Sequence, residues 1–294
     1  MRRLDDALRA ALARAEALSS APRLDSSTFL GLRDLIADAS GIAFDDRSRF
    51  IVERRLRPRL RALHFDDFET YVRFLLHGPE AAAELERMLE AVVVRETYFF
   101  REAQQLAAFR NDLLPALAVE NAATRTIRIW SAGCATGEEP YSVAILMQES
   151  GLFDGWSIRI TGTDLVGSAV EAARRGVFRE SAFRSTPEEV RARFFRRESA
   201  SVWRIDDRIR EAVDFEVANI LDPTATGRMP EVDVVFCRNV LIYLGEPARR
   251  SAAAVFYERL RPGGRLLLGH AETLLTLGTP FTLEHVGRDL VYVK

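Results

Sequence analysis

Apolar residues recur at helical spacing through the first third of the chain. Beyond about residue 126 they appear in short runs and alternations that read as strands. In residues 1–20, Leu4, Leu8, Leu12 and Leu18 suit one face of an amphipathic helix, which Ser19-Ser-Ala-Pro22 breaks. Residues 26–94 read as helical throughout. Ser26-Ser-Thr28 caps a helix holding Phe29, Leu32, Leu35 and Ile36, and Gly41 ends it. A second helix begins near Asp46 with Val52, Leu56, Leu60 and Leu63, and Pro58 is expected to kink or split it. A third starts at Asp66-Asp67 and stops at Gly78-Pro79; a fourth runs from about Pro79 to Val92. Short helices with short connections predict a small bundle.

The second period is that of strands alternating with helices. Strands are predicted at 127–130, at 157–161 (its run ending at Asp164), at 213–217, at 232–237 and at 265–269. Helices are predicted at 140–149, 168–175 and 247–261, and a closing hairpin at 281–286 and 290–293. This alternation implies a mainly parallel sheet covered on both faces. Residues 178–212, charged and aromatic, interrupt the rhythm and read as an insertion.

Composition narrows the class of protein. A chain of 294 residues, 48% hydrophobic and 29% charged, has material for about two globular domains. The 41 basic and 43 acidic residues nearly cancel, which argues against a nucleic-acid partner. Cys134 and Cys237 lie far apart, form no CxxC and accompany only four histidines, so no metal site is expected. The two thiols suit a reducing compartment and read as small buried residues. Met1-Arg-Arg-Leu-Asp-Asp is not followed by an apolar leader core, and no run of 18 apolar residues occurs. A cytoplasmic protein, not embedded in a membrane, is expected.

The strongest chemical signal is Trp130-Ser-Ala-Gly-Cys-Ala-Thr-Gly-Glu-Glu-Pro-Tyr141. Gly133 and Gly137 lie where a strand turns into a helix, which brings backbone N–H groups close to a ligand. The spacing is GxxxG rather than GxGxxG, and no Lys-Ser/Thr follows, so neither a dinucleotide fingerprint nor a P-loop is present. Glu138 and Glu139 open the helix and would repel a phosphate. They suit the helix dipole, and also a ligand with cationic and hydroxyl groups. S-adenosylmethionine has both. Asp164, at the end of the second strand, suits a pair of ribose hydroxyls.

Four blocks carry a resemblance: Glu96-Thr-Tyr-Phe-Phe-Arg-Glu102, Gly133-Cys-Ala-Thr-Gly-Glu-Glu-Pro-Tyr-Ser142, Phe236-Cys-Arg-Asn-Val-Leu-Ile-Tyr243 and Gly269-His-Ala-Glu272. Their sequence and order, over about residues 26–294, resemble the CheR-type chemotaxis-receptor methyltransferases. The resemblance implies a small all-α N-terminal domain followed by an α/β, Rossmann-like S-adenosylmethionine-dependent methyltransferase domain with a small antiparallel β-subdomain. The corresponding boundaries are an N-terminal helical extension at 1–24, a helical domain at 25–94, a linker and connecting helix at 95–125, and a methyltransferase domain at 126–294 with residues 178–212 as the β-subdomain.

By resemblance, Thr97 and Arg101 contact the cofactor, Glu139 its methionine or ribose part, and Asp164 its ribose. Asn219 and Ile220 flank adenine, and Arg238 and Asn239 lie beside the transferable methyl. Arg101 and Tyr243 would serve as the catalytic pair that positions the acceptor. Arg95 departs from the family, which usually has Asn or Gly at that position, so no cofactor contact is carried over to it. The implied reaction methylates glutamate carboxylates on chemoreceptors, giving glutamyl methyl esters and S-adenosylhomocysteine in chemosensory adaptation. A glutamate, with a pKa near ~4.3, is ionised at neutral pH and needs no base. This agrees with the lack of a Cys/His or Ser/His constellation.

Arg54, Arg55, Arg57 and Arg61 on the second predicted helix read, through the resemblance, as a docking face for the receptor's helical bundle. The turn Arg197-Glu-Ser-Ala-Ser-Val202 lacks the glycines of members that bind a receptor tail peptide, so tail binding is not expected, and the protein is expected to be a monomer. Two other readings stay open. One is a weak or inactive S-adenosylmethionine-binding regulatory protein, favoured only by Arg95 and the atypical β-subdomain. The other is a small-molecule methyltransferase, against which the helical domain and the insertion argue.

Overall fold

A computed structural model of the chain describes residues 22–294; the helix expected over residues 1–20 lies outside the described residues. The described residues form two compact units, one of residues 22–39 with 43–93 and one of 40–42 with 94–294.

The first unit is helical, with Ser26–Ser40, Arg49–Ala62, Phe68–His77 and Ala81–Val92. The cap of the first helix differs from expectation. Asp25 accepts from Thr28 N at 3.0 Å, and the hydroxyls of Ser27 and Thr28 donate to it as well. A carboxylate one position earlier is a stronger acceptor for the helix-start N–H groups than the hydroxyls that follow it. Asp67 caps the third helix as the pattern implies, accepting from Thr70 N at 2.7 Å.

Pro58 does not split the second helix, which runs unbroken from Arg49 to Ala62. The proline sits on the exposed face, where the lost N–H is least costly. The buried stripe of Val52, Leu56 and Leu60 anchors both sides of it. Buried Glu84 accepts from Tyr71 Oη at 2.8 Å and pairs with Arg59, so its buried charge is compensated.

The second unit is built on a seven-stranded sheet of β1 Thr126–Ala132, β2 Ser157–Asp164, β6 Val213–Val217, β7 Val232–Cys237, β8 Leu260–Leu268, β9 Thr282–Val286 and β10 Asp289–Val293. Their order is β6-β2-β1-β7-β8-β10-β9. The first five in that order run parallel; the β9–β10 hairpin closes the edge antiparallel. β7 is buried at every position, as a central parallel strand requires. Helices Glu138–Ser150, Gly167–Arg175 and Glu246–Arg259 cover the sheet, with a core on each side: Phe109, Ile127, Ile129 and Phe236 on one, Trp130, Val235, Phe256 and Leu266 on the other.

β8 starts five residues before the predicted strand. Its first residue, Leu260, pairs with Val232, and the register shifts before Arg265 meets Val234. Gly263 and Gly264 obscure that beginning in the sequence because they absorb the irregularity.

The insertion contains a three-stranded antiparallel sheet, β3 Val177–Arg179, β4 Phe195–Ser199 and β5 Val202–Ile205, in the order β3-β5-β4. Phe99 plugs the space beside it, against the rings of Phe178, Phe183 and Phe195 at centroid separations of 4.7–5.3 Å. The β4–β5 turn has no glycine, and Arg197 donates to the carbonyls of Ser199 and Ala200 across it.

Candidate functional site

The strand order reverses beside β1, whose neighbours are β2 on one side and β7 on the other. In such sheets the crevice beyond the carboxyl ends of those strands is where ligands bind. Most of the residues singled out from the sequence follow β1, β2, β6 or β7.

After β1 the chain turns through Gly133 at φ 77°, Ala135 at φ 47° and Gly137 at φ 94° into helix Glu138–Ser150. A Cβ on Gly133 would collide with Val240, and one on Gly137 would lie 2.9 Å from the Ala173 methyl. Only glycine combines that backbone with that closeness. Asp164 ties this turn to the end of β2: Oδ2 accepts from Ala135 N at 2.8 Å and Oδ1 from Val166 N at 2.9 Å. Each carboxylate oxygen then keeps a free lone pair, which fits two ribose hydroxyls. Burial raises the Asp164 carboxyl above its ordinary value, opposed by these two N–H bonds and by Arg95.

Glu139 is half-buried beside the turn. It accepts from Ser131 Oγ at 2.7 Å and from Arg238 Nη1 at 3.1 Å. Burial pushes its carboxyl up and the Arg238 guanidinium pulls it back. Glu138 is buried and accepts from Thr136 Oγ1 at 2.7 Å, and burial raises its carboxyl too.

Arg238 and Asn239 follow β7. The Arg238 side chain is 2% exposed. It lies between Glu139 and Glu102, with Nη2 also donating to the Arg101 carbonyl. Its guanidinium grips two carboxylates, because an arginine this buried needs counter-charges. Asn239 takes left-handed backbone at φ 60° and donates from Nδ2 to Glu102 at 3.3 Å. Its Oδ1 is buried and accepts from no described residue. An orphaned acceptor beside the glycine turn and the free lone pairs of Asp164 together fit a ligand with N–H and O–H donors, as S-adenosylmethionine has.

The other predicted residues are less concentrated. Arg101, half-buried, donates to the Glu96 carbonyl at 2.6 Å and lies 5.7 Å from the Tyr98 ring centroid. Tyr243 is half-buried at the end of the tight turn Leu241–Tyr243. Asn219 Oδ1 accepts from Leu221 N at 2.9 Å, and the Ile220 side chain is buried in the core with Trp130. Thr97 lines a cleft of about 350 Å³ with Arg95, Thr136, Glu138, Phe178 and Arg184. Arg95 reaches the Ser168 hydroxyl at 3.3 Å. Cys134 and Cys237 are buried, and burial holds both thiols well above their ordinary value, as inert core thiols require.

Two carboxylates matter here that no residue-level argument from the sequence had given a role. Glu102 is the second partner of Arg238 and the partner of Asn239. Glu272 accepts from the backbone N–H groups of Asn239 at 2.7 Å, Val240 at 2.8 Å and Gly269 at 2.7 Å, with Ile242 at 3.3 Å. Both belong to blocks that carry the family resemblance, which was their only signal.

Of the arginines on helix Arg49–Ala62, Arg55 donates to the Val92 carbonyl, and Arg57 pairs with Glu53 and donates to the Pro22 carbonyl. Arg54 and Arg61 stand exposed.

Residues 27–93 match the family model described as CheR methyltransferase, all-alpha domain, and residues 95–288 match CheR methyltransferase, SAM binding domain. The chain is 31% identical to chemotaxis protein methyltransferase 2 of Vibrio cholerae, covering 92% of this chain and 94% of that one. It is 32% identical to the chemotaxis protein methyltransferase of Escherichia coli, covering 89% of each. It is 34% identical to the probable biofilm formation methyltransferase WspC of Pseudomonas aeruginosa, over 83% of this chain and 56% of that relative. A helical bundle, a Rossmann-like sheet with a small antiparallel sheet inserted, and these matches agree: the chain belongs to the CheR methyltransferase family and carries an S-adenosylmethionine-binding methyltransferase domain.

Proposed function

We propose that this methyltransferase esterifies glutamate side chains on the cytoplasmic helical bundle of chemoreceptors, releasing S-adenosylhomocysteine. The observation that carries the reading is the arrangement at the carboxyl ends of β1, β2 and β7. There, spare acceptors on Asp164 and Asn239 surround a glycine turn, in a chain whose full-length relatives are chemotaxis protein methyltransferases.

Asp164 would hold the ribose hydroxyls, and Glu139, fixed by Arg238, would serve the methionine end. Asn239 would accept from a cofactor donor, Thr97 and Arg101 would contribute from the segment before β1, and Asn219 and Ile220 would border the base. The bound cofactor supplies an electrophilic methyl on a sulfonium. The acceptor carboxylate is already charged at neutral pH, so the protein's work is alignment and exclusion of water rather than proton removal. Arg101 and Tyr243 would orient that carboxylate. An arginine that gripped it through both nitrogens would blunt its nucleophilicity, and Arg101 already spends one donor on the Glu96 carbonyl.

Receptor docking falls to Arg54 and Arg61, since Arg55 and Arg57 are bonded within their own unit. Arg95, the departure that favoured a regulatory protein, reaches Ser168, and its charge helps to keep the Asp164 carboxylate ionised. The test is incubation of the protein and S-adenosylmethionine with a receptor cytoplasmic fragment, with mass spectrometry to place the methyl. Methyl groups on glutamates, lost with Arg101→Ala, are expected. A methylated small molecule with an unmodified receptor would defeat the reading.

A further inference from the structure

Glu102 has a conformation and a set of partners that the roles above do not use. It takes left-handed backbone, φ 55° and ψ 58°, which is strained for a residue with a side chain. It occupies the N-cap position of helix Ala103–Ala108 yet its side chain does not cap that helix. Its carboxylate turns inward instead, to Arg238 Nη2 at 3.2 Å and Asn239 Nδ2 at 3.3 Å, with His270 Nδ1 at 3.6 Å.

A carboxylate only accepts hydrogen bonds, so Asn239 must present its NH2 to Glu102. The amide oxygen is thereby turned away, into the buried position where no described residue donates to it. The same carboxylate supplies the second counter-charge for Arg238, whose other end holds Glu139. Backbone strain at one residue is thus retained where its side chain fixes two polar groups of the site.

We propose that Glu102 is a positioning residue of the methyl-transfer site, setting the Asn239 amide so that its oxygen faces a hydrogen-bond donor of the cofactor. The proposal rests on the reading that Asn239 binds S-adenosylmethionine. Its test is binding of S-adenosylhomocysteine to the full chain, followed by calorimetry, which needs no receptor.

Glu102→Gln keeps the shape but offers Asn239 either a donor or an acceptor, so the amide is free to turn. Asn239→Gly removes the amide while tolerating φ 60°. Each should weaken binding about tenfold, the loss of roughly one hydrogen bond to a charged or well-placed group. The double variant should bind no more than about twofold worse than Asn239→Gly, because Glu102 acts through Asn239. Glu102→Asp keeps a negative charge near Arg238 but, one methylene shorter, no longer reaches Asn239 to fix its amide. It too should lose binding, with its melting temperature close to the parent's. Parental binding by Glu102→Gln or Glu102→Asp, or losses that multiply in the double variant, would overturn the proposal. A parent chain that bound no S-adenosylhomocysteine would overturn the functional reading itself and this proposal with it.

Discussion

Replacing Glu272 by alanine should damage the end of β7 more than any other single change at the surface of the site. The carboxylate accepts three backbone N–H groups at 2.7–2.8 Å and a fourth at 3.3 Å. They lie where the chain leaves the buried strand β7 and enters the short turn Leu241–Tyr243, outside the sheet's own hydrogen-bond ladder. A hydrogen bond to a charged group contributes about 1.5–3 kcal/mol, so three short ones taken singly give roughly 5–9 kcal/mol.

That sum is too large for one residue. The bonds share a single carboxylate and are not additive. Burial also raises its carboxyl above the ordinary value, a desolvation penalty that deletion removes. A loss of about 3–5 kcal/mol remains. At about 2–4 °C per kcal/mol for a domain of this size, the melting temperature should fall by roughly 10 °C. Glu272→Gln keeps one acceptor oxygen and should lose about half as much. The assay is thermal denaturation followed by circular dichroism, with S-adenosylhomocysteine titrated into the folded variants. Asn239 hangs from this carboxylate by its own N–H, so binding should weaken along with stability. A Glu272→Ala protein that melted within about 2 °C of the parent would refute the assignment of these bonds as the anchor of the turn.

Three further outcomes follow from the geometry. Asp164→Asn should weaken S-adenosylhomocysteine binding at neutral pH by about tenfold, one lost charged acceptor. In the parent chain affinity should fall as pH is lowered, beginning above the ordinary aspartate value because burial raises this carboxyl, and Asp164→Asn should flatten the fall; calorimetry across pH reads both. In the helical unit, Asp25 and Asp67 are held below their ordinary value of 3.8, first by the Ser27 hydroxyl for Asp25 and by the Thr70 N–H for Asp67. Their titrating contribution is therefore present above 3.8 and lost as pH drops through the lower folded value. The stability difference between the parent and Asp67→Asn, which caps without titrating, should shrink in acid. Charge reversal of Arg54 and Arg61 should slow receptor methylation at low salt and leave S-adenosylhomocysteine affinity unchanged, whereas unchanged methylation would remove the docking face.

The sheet was legible because its strands are short apolar runs bounded by turn residues. β1, β2, β6 and β7 fall where Ile129, Ile160, Phe215 and Val235 sit in such runs. The helices were legible from periodicity, and what periodicity could not see was compensation. Pro58 breaks a rule of helix interiors, but it does so on an exposed face with buried leucines on either side. The beginning of β8 is hidden by two glycines that read as a turn and serve as a bulge. Asp25 is one residue before the serines that resemble a cap and takes their place.

The candidate site was legible as separate residues and not as a network. Gly133, Glu139 and Asp164 announce themselves by their position after strands. The pairing of Arg238 with Glu102 and Glu139 joins residues 136 and 99 apart in the chain, and no local pattern carries it. The arginine-rich helix shows the opposite limit. Its charges are equivalent in the sequence, yet Arg55 and Arg57 are used internally while Arg54 and Arg61 are not buried. Glu53 lies four residues before Arg57 on the same helix, a local pair, whereas the Val92 carbonyl reaches Arg55 only through tertiary packing.

The central claim is transfer of a methyl group to receptor carboxylates. It is tested most directly with S-adenosylmethionine labelled in the methyl group, the full chain, and membranes carrying the chemoreceptors of the same cell. Protein-bound label that is released by mild base, as an ester requires, and that disappears with Tyr243→Phe or Arg101→Ala is the predicted result. Receptors that stay unlabelled while the same preparation binds S-adenosylhomocysteine, or a label that resists base, would contradict it.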